Sequence, residues 1–262
     1  MIRAVFFDID GTLVSMKTKV FTPATREAIA RLREKGIHVY VASGRSRFEL
    51  EEQQMLGDMV FDGYLTNNGQ QVYNGSWELI HSTPMDSGDV RALLDYVEQK
   101  KLPLWLVGES DSLFNEYDNE RVPLVMETIH TELPPRGDLR TMLDRPVYKA
   151  VMFLTAQEIQ NGPQRIMPHS RSTQWFELGQ DMIPAEGGKL PAVRFIAEAN
   201  GWTPDELMAF GDSENDNEML RYAGIGVAMG NALAETKAAA DYVTDDCDDE
   251  GVAHALAHFG LI

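Results

Sequence analysis

Residues 3–13 read RAVFFDIDGTL, and this stretch decides the fold. Residues 3–9 form an apolar run that predicts a buried strand, and the strand runs out at two carboxylates, Asp8 and Asp10. Gly11 then allows the chain to turn sharply. Ligands of open α/β sheets bind at the carboxyl ends of the strands, so the two acids are candidate site residues. Plain acidic turns and calcium loops share this short pattern, so it needs further support.

The rest of the first third alternates between helices and strands. Thr22 and Pro23 predict the start of a helix, as N-cap and first-turn proline, and Gly36 predicts its end. The next segments predict a strand, a helix and a strand in turn, at 37–42, 48–56 and 64–66. This alternation is typical of a parallel sheet with crossover helices. Asn68-Gly69 and Asn74-Gly75 predict short hairpins.

The last third repeats the same rhythm. A helix that ends near Gly201 is predicted from an apolar face of Leu190, Val193, Ile196 and Ala197. Three further strands are predicted at 207–210, 225–229 and 242–244. Three helices that cover them are predicted near 214–222, 232–239 and 251–258. Both ends of the chain therefore belong to one α/β domain.

The middle of the chain has a different pattern. One helix is predicted from the shared apolar face of Val90, Leu93, Leu94 and Val97. Strands are predicted at 104–107, 148–154 and 174–178. We expect a second α/β unit, inserted into the first. The predicted organisation is a Rossmann-like parallel-sheet core in two segments, 1–82 and 184–262, with an inserted α/β cap domain at 83–183.

Composition narrows the class of protein. The chain has 262 residues and a formal net charge of −18, which disfavours binding to nucleic acid because an acidic surface repels phosphate backbones. No apolar run approaches the length of a membrane span, and the N-terminal apolar run is too short for a signal peptide. The single cysteine, Cys247, excludes an internal disulfide and favours a reducing cytoplasm. The sequence does not indicate an oligomeric state.

A second acidic signal follows another apolar strand. Residues 211–216 read GDSEND, and Asp212 or Ser213 could simply cap the helix that follows. Two separate strands that end in paired carboxylates also suit a hard cation with oxygen ligands. Mg²⁺, which keeps several waters and accepts phosphate oxygens, fits this pattern.

Two further signals are weak when taken alone. Ser43-Gly44-Arg45 ends the strand 37–42, where a hydroxyl and backbone amides can hold a phosphate, although Ser-Gly is also a common turn. Lys189 follows Gly187-Gly188 and could neutralise a phosphoryl group, although a lone lysine is usually a solvated surface charge.

Taken in order, the four signals resemble the four motifs of the haloacid dehalogenase superfamily. The matching residues are Asp8-Ile9-Asp10-Gly11-Thr12, Ser43, Lys189 and Gly211-Asp212-x-x-Asn215-Asp216. The chain resembles more narrowly a Cof-type phosphatase, whose type IIB α/β cap lies between the second and third motifs. Residues 225–232 and 240–244 also resemble the C-terminal stretch of that group. One departure is that Lys189 precedes a leucine, where the family commonly has Lys-Gly.

The resemblance implies a set of catalytic roles. Asp8 would attack phosphorus and become an aspartyl phosphate, and Asp10 would act as general acid and then as general base. Mg²⁺ would be held by the Asp8 carboxylate, the Asp10 backbone carbonyl and Asp212. Asp216 would orient waters or Lys189 and would not bind the ion directly.

The resemblance also implies a binding set for the phosphoryl group: Thr12, Ser43, Gly44, Arg45, Lys189 and Asn215. The implied function is magnesium-dependent hydrolysis of small phosphorylated metabolites, with sugar phosphates such as hexose phosphates as the expected substrates. Specificity is expected in the cap, where Trp105, Glu109, Tyr117, Trp175 and Glu177 are candidates by chemical type.

Several alternatives stay open at this point. A phosphomutase acting on phosphosugars would share both Asp8 and Asp10. Pyridoxal phosphate and flavin mononucleotide are alternative substrates for a phosphatase. A module that binds a phosphorylated ligand without catalysis is the non-enzyme alternative, and the intact pair of aspartates argues against it. A receiver domain is disfavoured because that family is about half this length and lacks an inserted cap.

Overall fold

The computed structural model describes residues 1–15, 17–18, 20–52, 54–129 and 132–262. The chain divides into two compact units, one formed by residues 1–82 and 188–262 and the other by residues 83–187. The sequence placed the second boundary after residue 183, whereas the second unit continues to Gly187. The N–H of Ala185 donates to the His169 carbonyl, and Arg171 donates to the Gly187 carbonyl over 2.8 Å, which ties this segment to the second unit.

The first unit contains an eight-stranded sheet in the order β13-β12-β11-β1-β2-β3-β4-β5. The first six strands in this order run parallel, whereas β4 and β5 are antiparallel additions at one edge. The strands are β1 (Ala4–Phe7), β2 (His38–Ala42), β3 (Gly63–Thr66), β4 (Gln71–Asn74), β5 (Leu79–Ser82), β11 (Leu207–Gly211), β12 (Ile225–Ala228) and β13 (Tyr242–Val243).

Helices cover both faces of this sheet. They are α1 (Pro23–Glu34), α2 (Arg47–Glu52), α7 (Lys189–Asn200), α8 (Asn217–Tyr222), α9 (Ala234–Ala239) and α10 (Gly251–His258). Side chains alternate along each strand, so Val5 and Phe7 pack with the core that contains α1 and α10. Ala4 and Phe6 pack with the core that contains α7 and α8. By the same alternation Asp8 falls on the α7 side.

The second unit has an antiparallel five-stranded sheet in the order β7-β6-β8-β10-β9. Its strands are β6 (Leu104–Gly108), β7 (Ser112–Phe114), β8 (Val147–Met152), β9 (Ser170–Phe176) and β10 (Gly179–Pro184). Its helices are α3 (Ser87–Lys100), α4 (Arg121–Ile129), α5 (Ala156–Asn161) and α6 (Pro163–Ile166). The predicted fold class, an α/β core with an inserted α/β cap, is confirmed.

The helix predicted from Thr22 is confirmed in detail. The Thr22 side chain accepts from the Thr25 N–H, and Pro23 is the first helical residue. The predicted helix 48–56 is shorter, Arg47–Glu52, and Gln53 lies outside the described residues. The predicted helix 214–222 divides into a 3₁₀ turn at Glu214–Asp216 and α8, because the Asp216 carboxylate binds backbone amides at the junction.

The strand predicted at 174–178 was wrong in extent. The observed β9 begins at Ser170, and β10 follows it after a turn at Glu177-Leu178. The sequence of β10, GQDMIP, is poor in strand-forming residues. It forms a strand because it lies between β8 and β9 and bonds to both. Among the described residues, no helix combines the length and apolar character needed to cross a membrane.

Candidate active site

The candidate site lies at the carboxyl ends of three neighbouring strands of the first unit. Asp8 follows β1, Ser43 follows β2, and Asp212 follows β11. Because these strands are adjacent and parallel, their carboxyl ends lie at one edge of the sheet. The structure therefore brings together three of the four sequence signals through the strand order alone.

Lys189 joins this group from α7, where it is the first helical residue. Its ammonium Nζ lies 2.6 Å from Asp8 Oδ1 and 2.6 Å from Asp216 Oδ1. Lys189 is only 1% exposed, so this lysine is not a solvated surface charge. Lys189 makes these contacts although Leu190 follows it, where the resembled family commonly has glycine.

Asp216 is a fully buried carboxylate with both oxygens engaged. Oδ1 accepts from Lys189, while Oδ2 accepts from the backbone N–H groups of Asp212 and Ser213 over 3.0 and 3.1 Å. The side chain thus fixes the ammonium and the loop after β11 together. This geometry supports an orienting role for Asp216.

Asp212 packs closely against the turn that follows Asp10. Gly11 has a φ of +82°, and a Cβ there would lie 2.4 Å from Asp212 Oδ2. Glycine is therefore required at this position both for its backbone conformation and for the space that Asp212 occupies. The hydroxyl of Ser213 donates to Asp212 Oδ1 over 3.2 Å.

Asn231 is a site residue that the sequence analysis did not single out. Its Nδ2 donates to the Gly11 carbonyl over 2.8 Å and lies 3.4 Å from Asp212 Oδ2, while its Oδ1 accepts from the Cys247 N–H over 3.0 Å. One side chain thus links three loops. A Gly-Asn pair directly after a predicted strand was the available signal, because such a position also lies at the carboxyl edge of the sheet.

The electrostatics of the site are dominated by buried carboxylates. Burial raises the pKa of Asp8 to about 7, and Lys189 opposes that rise. Burial, followed by the charges of Asp8 and Asp216, raises the pKa of Asp212 well above its usual value. Burial alone would lower the pKa of Lys189, but Asp216 and Asp8 raise it, so the ammonium stays charged.

This charge balance fits a divalent cation. Asp8, Asp212 and Asp216 have carboxylate oxygens within 4.8 Å of one another, and the Lys189 ammonium bonds to two of these three carboxyl groups, those of Asp8 and Asp216. Hard oxygen donors without sulfur or imidazole suit Mg²⁺. Since both oxygens of Asp216 are already bonded, Asp8 and Asp212 are the carboxylates suited to direct coordination.

Asp10 is held by Arg45 and not by the carboxylate cluster. Arg45 donates from Nε to Asp10 Oδ2 over 2.7 Å and from Nη2 to Asp10 Oδ1 over 2.9 Å. Burial works to lower the pKa of Arg45, but the bonds to Asp10 outweigh it and the pKa is raised. The phosphate-binding role of Arg45 stays a prediction. The bidentate ion pair between Arg45 and Asp10 is a contact that the sequence did not suggest.

The remaining predicted phosphate-binding residues line the same edge. The Ser43 hydroxyl accepts from the Arg45 N–H over 3.1 Å, which shapes the turn at Gly44. The Asn215 amide donates to Asn68 Oδ1 over 2.8 Å. The Thr12 hydroxyl is buried and has no hydrogen-bond partner among the described residues, so an acceptor from a ligand would satisfy it.

Comparison with known proteins decides the family. A family model described as haloacid dehalogenase-like hydrolase matches residues 5–256. The chain belongs to this family. It is 30% identical over 260 residues to the Bacillus subtilis (strain 168) protein YkrA, which covers 99% of this chain and 98% of that protein.

Two other relatives carry names that state an activity. The 5-amino-6-(5-phospho-D-ribitylamino)uracil phosphatase YwtE of Bacillus subtilis (strain 168) is 26% identical, over 97% of this chain and 96% of that protein. The solved structure of the HAD subclass IIB sugar phosphatase BT4131 superposes with a TM-score of 0.87 at 32% identity, over 99% of this chain and 100% of that one. The chain is accordingly a haloacid dehalogenase-type phosphatase, a hydrolase of phosphoric monoesters.

One acidic group in the second unit of this phosphatase has a structural explanation. Asp86, Asp89 and His169 lie within ligand distance of one another in the second unit. However, Asp86 caps α3, while Asp89 Oδ2 accepts from the His169 N–H and the Ser170 hydroxyl. These carboxylates hold backbone in place, so the group at Asp8 remains the candidate site.

The second unit contains a polar and aromatic cluster on one face of its sheet, formed by Trp105, Lys149, Trp175 and Asp181. Lys149 Nζ lies 3.7 Å from Asp181 Oδ2 and 5.9 Å from the Trp105 ring centre, and the Trp175 indole N–H donates to Asp181 Oδ1 over 2.9 Å. Two of the specificity candidates, Trp105 and Trp175, thus lie around an ion pair that sequence reasoning missed.

The other specificity candidates of the phosphatase lie elsewhere in the second unit. Glu109 and Glu177 are exposed, the first directly after β6 and the second in the turn between β9 and β10. Tyr117 is half-buried in the loop after β7. The contribution of these three residues to specificity stays a prediction.

Proposed function

We propose that this phosphatase hydrolyses small sugar phosphates through an aspartyl phosphate formed on Asp8. The observation that carries the proposal is the geometry of Asp8 itself. Its Oδ1 is held by Lys189, while Oδ2 accepts no hydrogen bond from any described residue. One carboxylate oxygen is thus anchored and the other is available for attack.

In the first step, Asp8 Oδ2 forms a bond to phosphorus. The bond from phosphorus to the ester oxygen breaks, and its electron pair stays on that oxygen. Asp10 donates a proton to the departing oxygen, so the alcohol leaves as a neutral molecule. Arg45 donates to both oxygens of Asp10, which fixes the position of this side chain in its ionised form. When Asp10 carries the proton, it keeps the bond from Arg45 at its unprotonated oxygen only.

In the second step, a water oxygen forms a bond to phosphorus. Asp10, now ionised, takes a proton from that water, and the bond from phosphorus to Asp8 breaks. Inorganic phosphate leaves, and Asp8 is restored as a carboxylate with Asp10 protonated again. The balance needs no oxidant, reductant or second substrate besides water.

The negative charge of the phosphoryl group must be offset during both steps. Asp8, Asp212 and the backbone carbonyl of Asp10 would hold Mg²⁺, which supplies positive charge beside the phosphoryl oxygens when bound. Lys189 contributes a second fixed positive charge from α7. The hydroxyls of Thr12 and Ser43 and the amide of Asn215 are the neutral groups proposed to bind phosphoryl oxygens.

The choice of sugar phosphates has two supports. BT4131, which the chain matches along its full length, is described as a sugar phosphatase, and YwtE acts on a phosphorylated ribityl compound by its name.

A panel of phosphomonoesters tests this proposal. We expect magnesium-dependent kcat/KM values to be highest for hexose or pentose phosphates, compared with pyridoxal phosphate, flavin mononucleotide and a phosphopeptide. Asp8→Asn is the control that removes the nucleophile but keeps the shape of the side chain. If pyridoxal phosphate or flavin mononucleotide has a kcat/KM far above those of the sugar phosphates, the sugar assignment is wrong. If the phosphopeptide has the highest kcat/KM, the assignment to small metabolites is wrong.

The same panel separates the other activities. A phosphomutase would convert one sugar phosphate into an isomer without releasing phosphate, which analysis of the products detects. A module without catalysis would bind inorganic phosphate but hydrolyse none of the esters. Trp175→Ala, at one of the specificity candidates, should change the ranking of sugar phosphates, whereas Gln99→Ala, at an exposed position of α3, should leave the ranking unchanged.

A further inference from the structure

The turn after β3 has an unusual backbone. Asn67, Asn68 and Gly69 have φ values of +52°, +59° and +83° in succession. Non-glycine residues rarely adopt this left-handed conformation, and asparagine tolerates it better than most. Strained backbone of this kind persists only where the surrounding structure holds it, and it is common at functional sites. The turn follows β3, which pairs with β2, the strand that directly precedes Ser43.

Asn68 uses this conformation to contact two predicted phosphate-binding segments. Its N–H donates to the Ser43 carbonyl over 2.8 Å, and its Oδ1 accepts from Asn215 Nδ2 over 2.8 Å. Its side chain also lies against Gly44, where a Cβ would come within 3.2 Å of Asn68 Oδ1. Asn68 is only 2% exposed. One residue thus connects the loop after β2 to the loop after β11.

Asn67 provides a natural comparison. It has the same backbone conformation and is completely buried, but its Nδ2 donates to Gln71 Oε1 over 2.7 Å, at the start of β4. Its backbone N–H donates to the Arg45 carbonyl, a bond that glycine would keep. Asn67 and Asn68 therefore share strain and burial but differ in what their side chains hold.

The bond between Asn68 and Asn215 has a consequence for ligand binding. A side-chain amide carries two N–H donors in one plane. When Asn68 Oδ1 accepts one of them, the plane of the Asn215 amide is set, and so is the direction of its second N–H. That second N–H has no partner among the described residues. Without Asn68, the Asn215 amide could rotate and would pay an ordering cost on binding.

We propose that Asn68 is a positioning residue for phosphate binding, which acts by orienting the amide of Asn215 beside the Ser43–Arg45 turn. This inference rests on the proposed function, because it assigns Asn215 to a phosphoryl oxygen. It differs from a structural role for the turn, since a purely structural role would be shared by Asn67.

The test compares Asn68→Gly with Asn67→Gly, alone and combined with Asn215→Ala. Glycine accepts the left-handed backbone and keeps both backbone N–H donors, so each variant removes one side chain only. The readouts are kcat and KM for p-nitrophenyl phosphate, inhibition by inorganic phosphate, and the unfolding midpoint. The unfolding midpoint shows whether each variant is folded under the assay conditions.

We expect Asn68→Gly to lower kcat/KM by about five- to tenfold, the range of one hydrogen bond, and to weaken inhibition by inorganic phosphate in parallel. The kcat/KM of Asn67→Gly should stay within about twofold of the wild-type value, although this substitution removes a buried hydrogen bond. The kcat/KM of the double variant Asn68→Gly/Asn215→Ala should lie no more than about twofold below that of Asn215→Ala. The two substitutions act through the same amide, so their effects should not multiply.

Two results would overturn the inference. One is equal loss in Asn67→Gly and Asn68→Gly, which would show a structural role of the turn. The other is independent, multiplying losses from Asn68→Gly and Asn215→Ala, which would show that they do not act together. A wild type that neither hydrolyses p-nitrophenyl phosphate nor binds inorganic phosphate removes the proposed function and this inference with it, whereas an active wild type with independent losses removes the inference alone.

Discussion

Arg45 donates two hydrogen bonds to the carboxylate of Asp10, of 2.7 and 2.9 Å, from the adjacent Nε and Nη2 atoms of its guanidinium group. The pair joins the loops after β1 and β2, which are neighbouring strands. Because the planar fork of arginine matches both carboxylate oxygens, the contact fixes the orientation of Asp10 as well as its position. In the proposed reaction, Asp10 is the residue that donates a proton to the leaving group and then takes a proton from water.

Substitution of Arg45 should therefore depend on the leaving group. We expect Arg45→Ala to lower kcat for an alkyl phosphate by about 100-fold, within the range of general acid catalysis. For p-nitrophenyl phosphate, whose leaving group needs little protonation, the loss should be clearly smaller. Arg45→Lys should recover little, since an ammonium cannot make both bonds. Equal losses with both substrates, together with a raised KM, would instead assign Arg45 to the phosphoryl group.

Lys189 should be as important for stability as for activity. Lys189→Met leaves the buried carboxylates of Asp8 and Asp216 without their cation, and breaking a buried pair in this way costs about 3–5 kcal/mol. Denaturant unfolding measures the loss, with Lys100→Met, at an exposed position of α3, as the control. Magnesium should reduce the difference because it supplies positive charge to the same group. Equal stability of the two variants would contradict the arrangement of charges.

Asp212 and Asp216 should differ in their effects on magnesium. We expect Asp216→Asn to weaken magnesium binding by about 10- to 100-fold, the range for a residue that orients ligands, and Asp212→Asn to weaken it further. Asp216→Asn should also lower the unfolding temperature, because it disturbs the bonds to Lys189 and the loop after β11. Calorimetric titration with Mg²⁺ measures the affinities, with the exposed Asp205→Asn as control. The reverse order of affinities would exchange the two roles.

Cys247 should be unreactive in the folded protein. Burial, followed by the charges of Asp246 and Asp248, raises the pKa of this thiol to about 12, and the thiolate is the reactive form. Because the chain has one cysteine, labelling with a thiol reagent at pH 8 reports on this residue alone. We expect slow labelling in buffer and fast labelling in denaturant. Rapid labelling of the folded protein would contradict the burial of Cys247.

The same shift predicts a loss of stability in alkali. The thiol has its usual pKa of 9.0 in the unfolded chain and a pKa of about 12 in the folded chain. At a pH between these two values, the unfolded chain has released a proton that the folded chain keeps. The folded state then binds more protons, so the free energy of unfolding falls as the pH rises through this window. Cys247→Ala should remove this part of the pH dependence. An unchanged slope in that variant would assign it to other groups.

The positions of the main site residues could be predicted because they follow from local patterns. Asp8, Ser43 and Asp212 each directly follow an apolar strand, and parallel strands place their carboxyl ends together. The N-cap at Thr22 and the helix 251–258 could also be predicted, since capping and helical periodicity are local properties of the sequence. Lys189 needed its family context, because nothing in its neighbourhood distinguishes it from an exposed lysine.

The contacts between loops could not be predicted in the same way. The pair of Arg45 with Asp10 and the bonds of Asn231 to Gly11 and Cys247 depend on which strands become neighbours, and on turn geometry that no short pattern contains. Asn68-Gly69 predicted a hairpin correctly but gave no sign that the Asn68 side chain reaches Asn215. In the second unit, β10 is held by its two neighbours against its own propensities.

The central claim is that the phosphoryl group passes through Asp8. The most direct measurement is peptide mass spectrometry of the Asp10→Asn variant, quenched in acid during turnover of p-nitrophenyl phosphate. This substrate needs little help to leave, whereas attack of water lacks its base, so the intermediate should accumulate. We expect the peptide that contains Asp8 to gain the mass of one phosphoryl group, and the Asp8→Asn/Asp10→Asn variant to gain none. Continued turnover with no phosphorylated peptide, or with the phosphoryl group on another residue, would contradict the account.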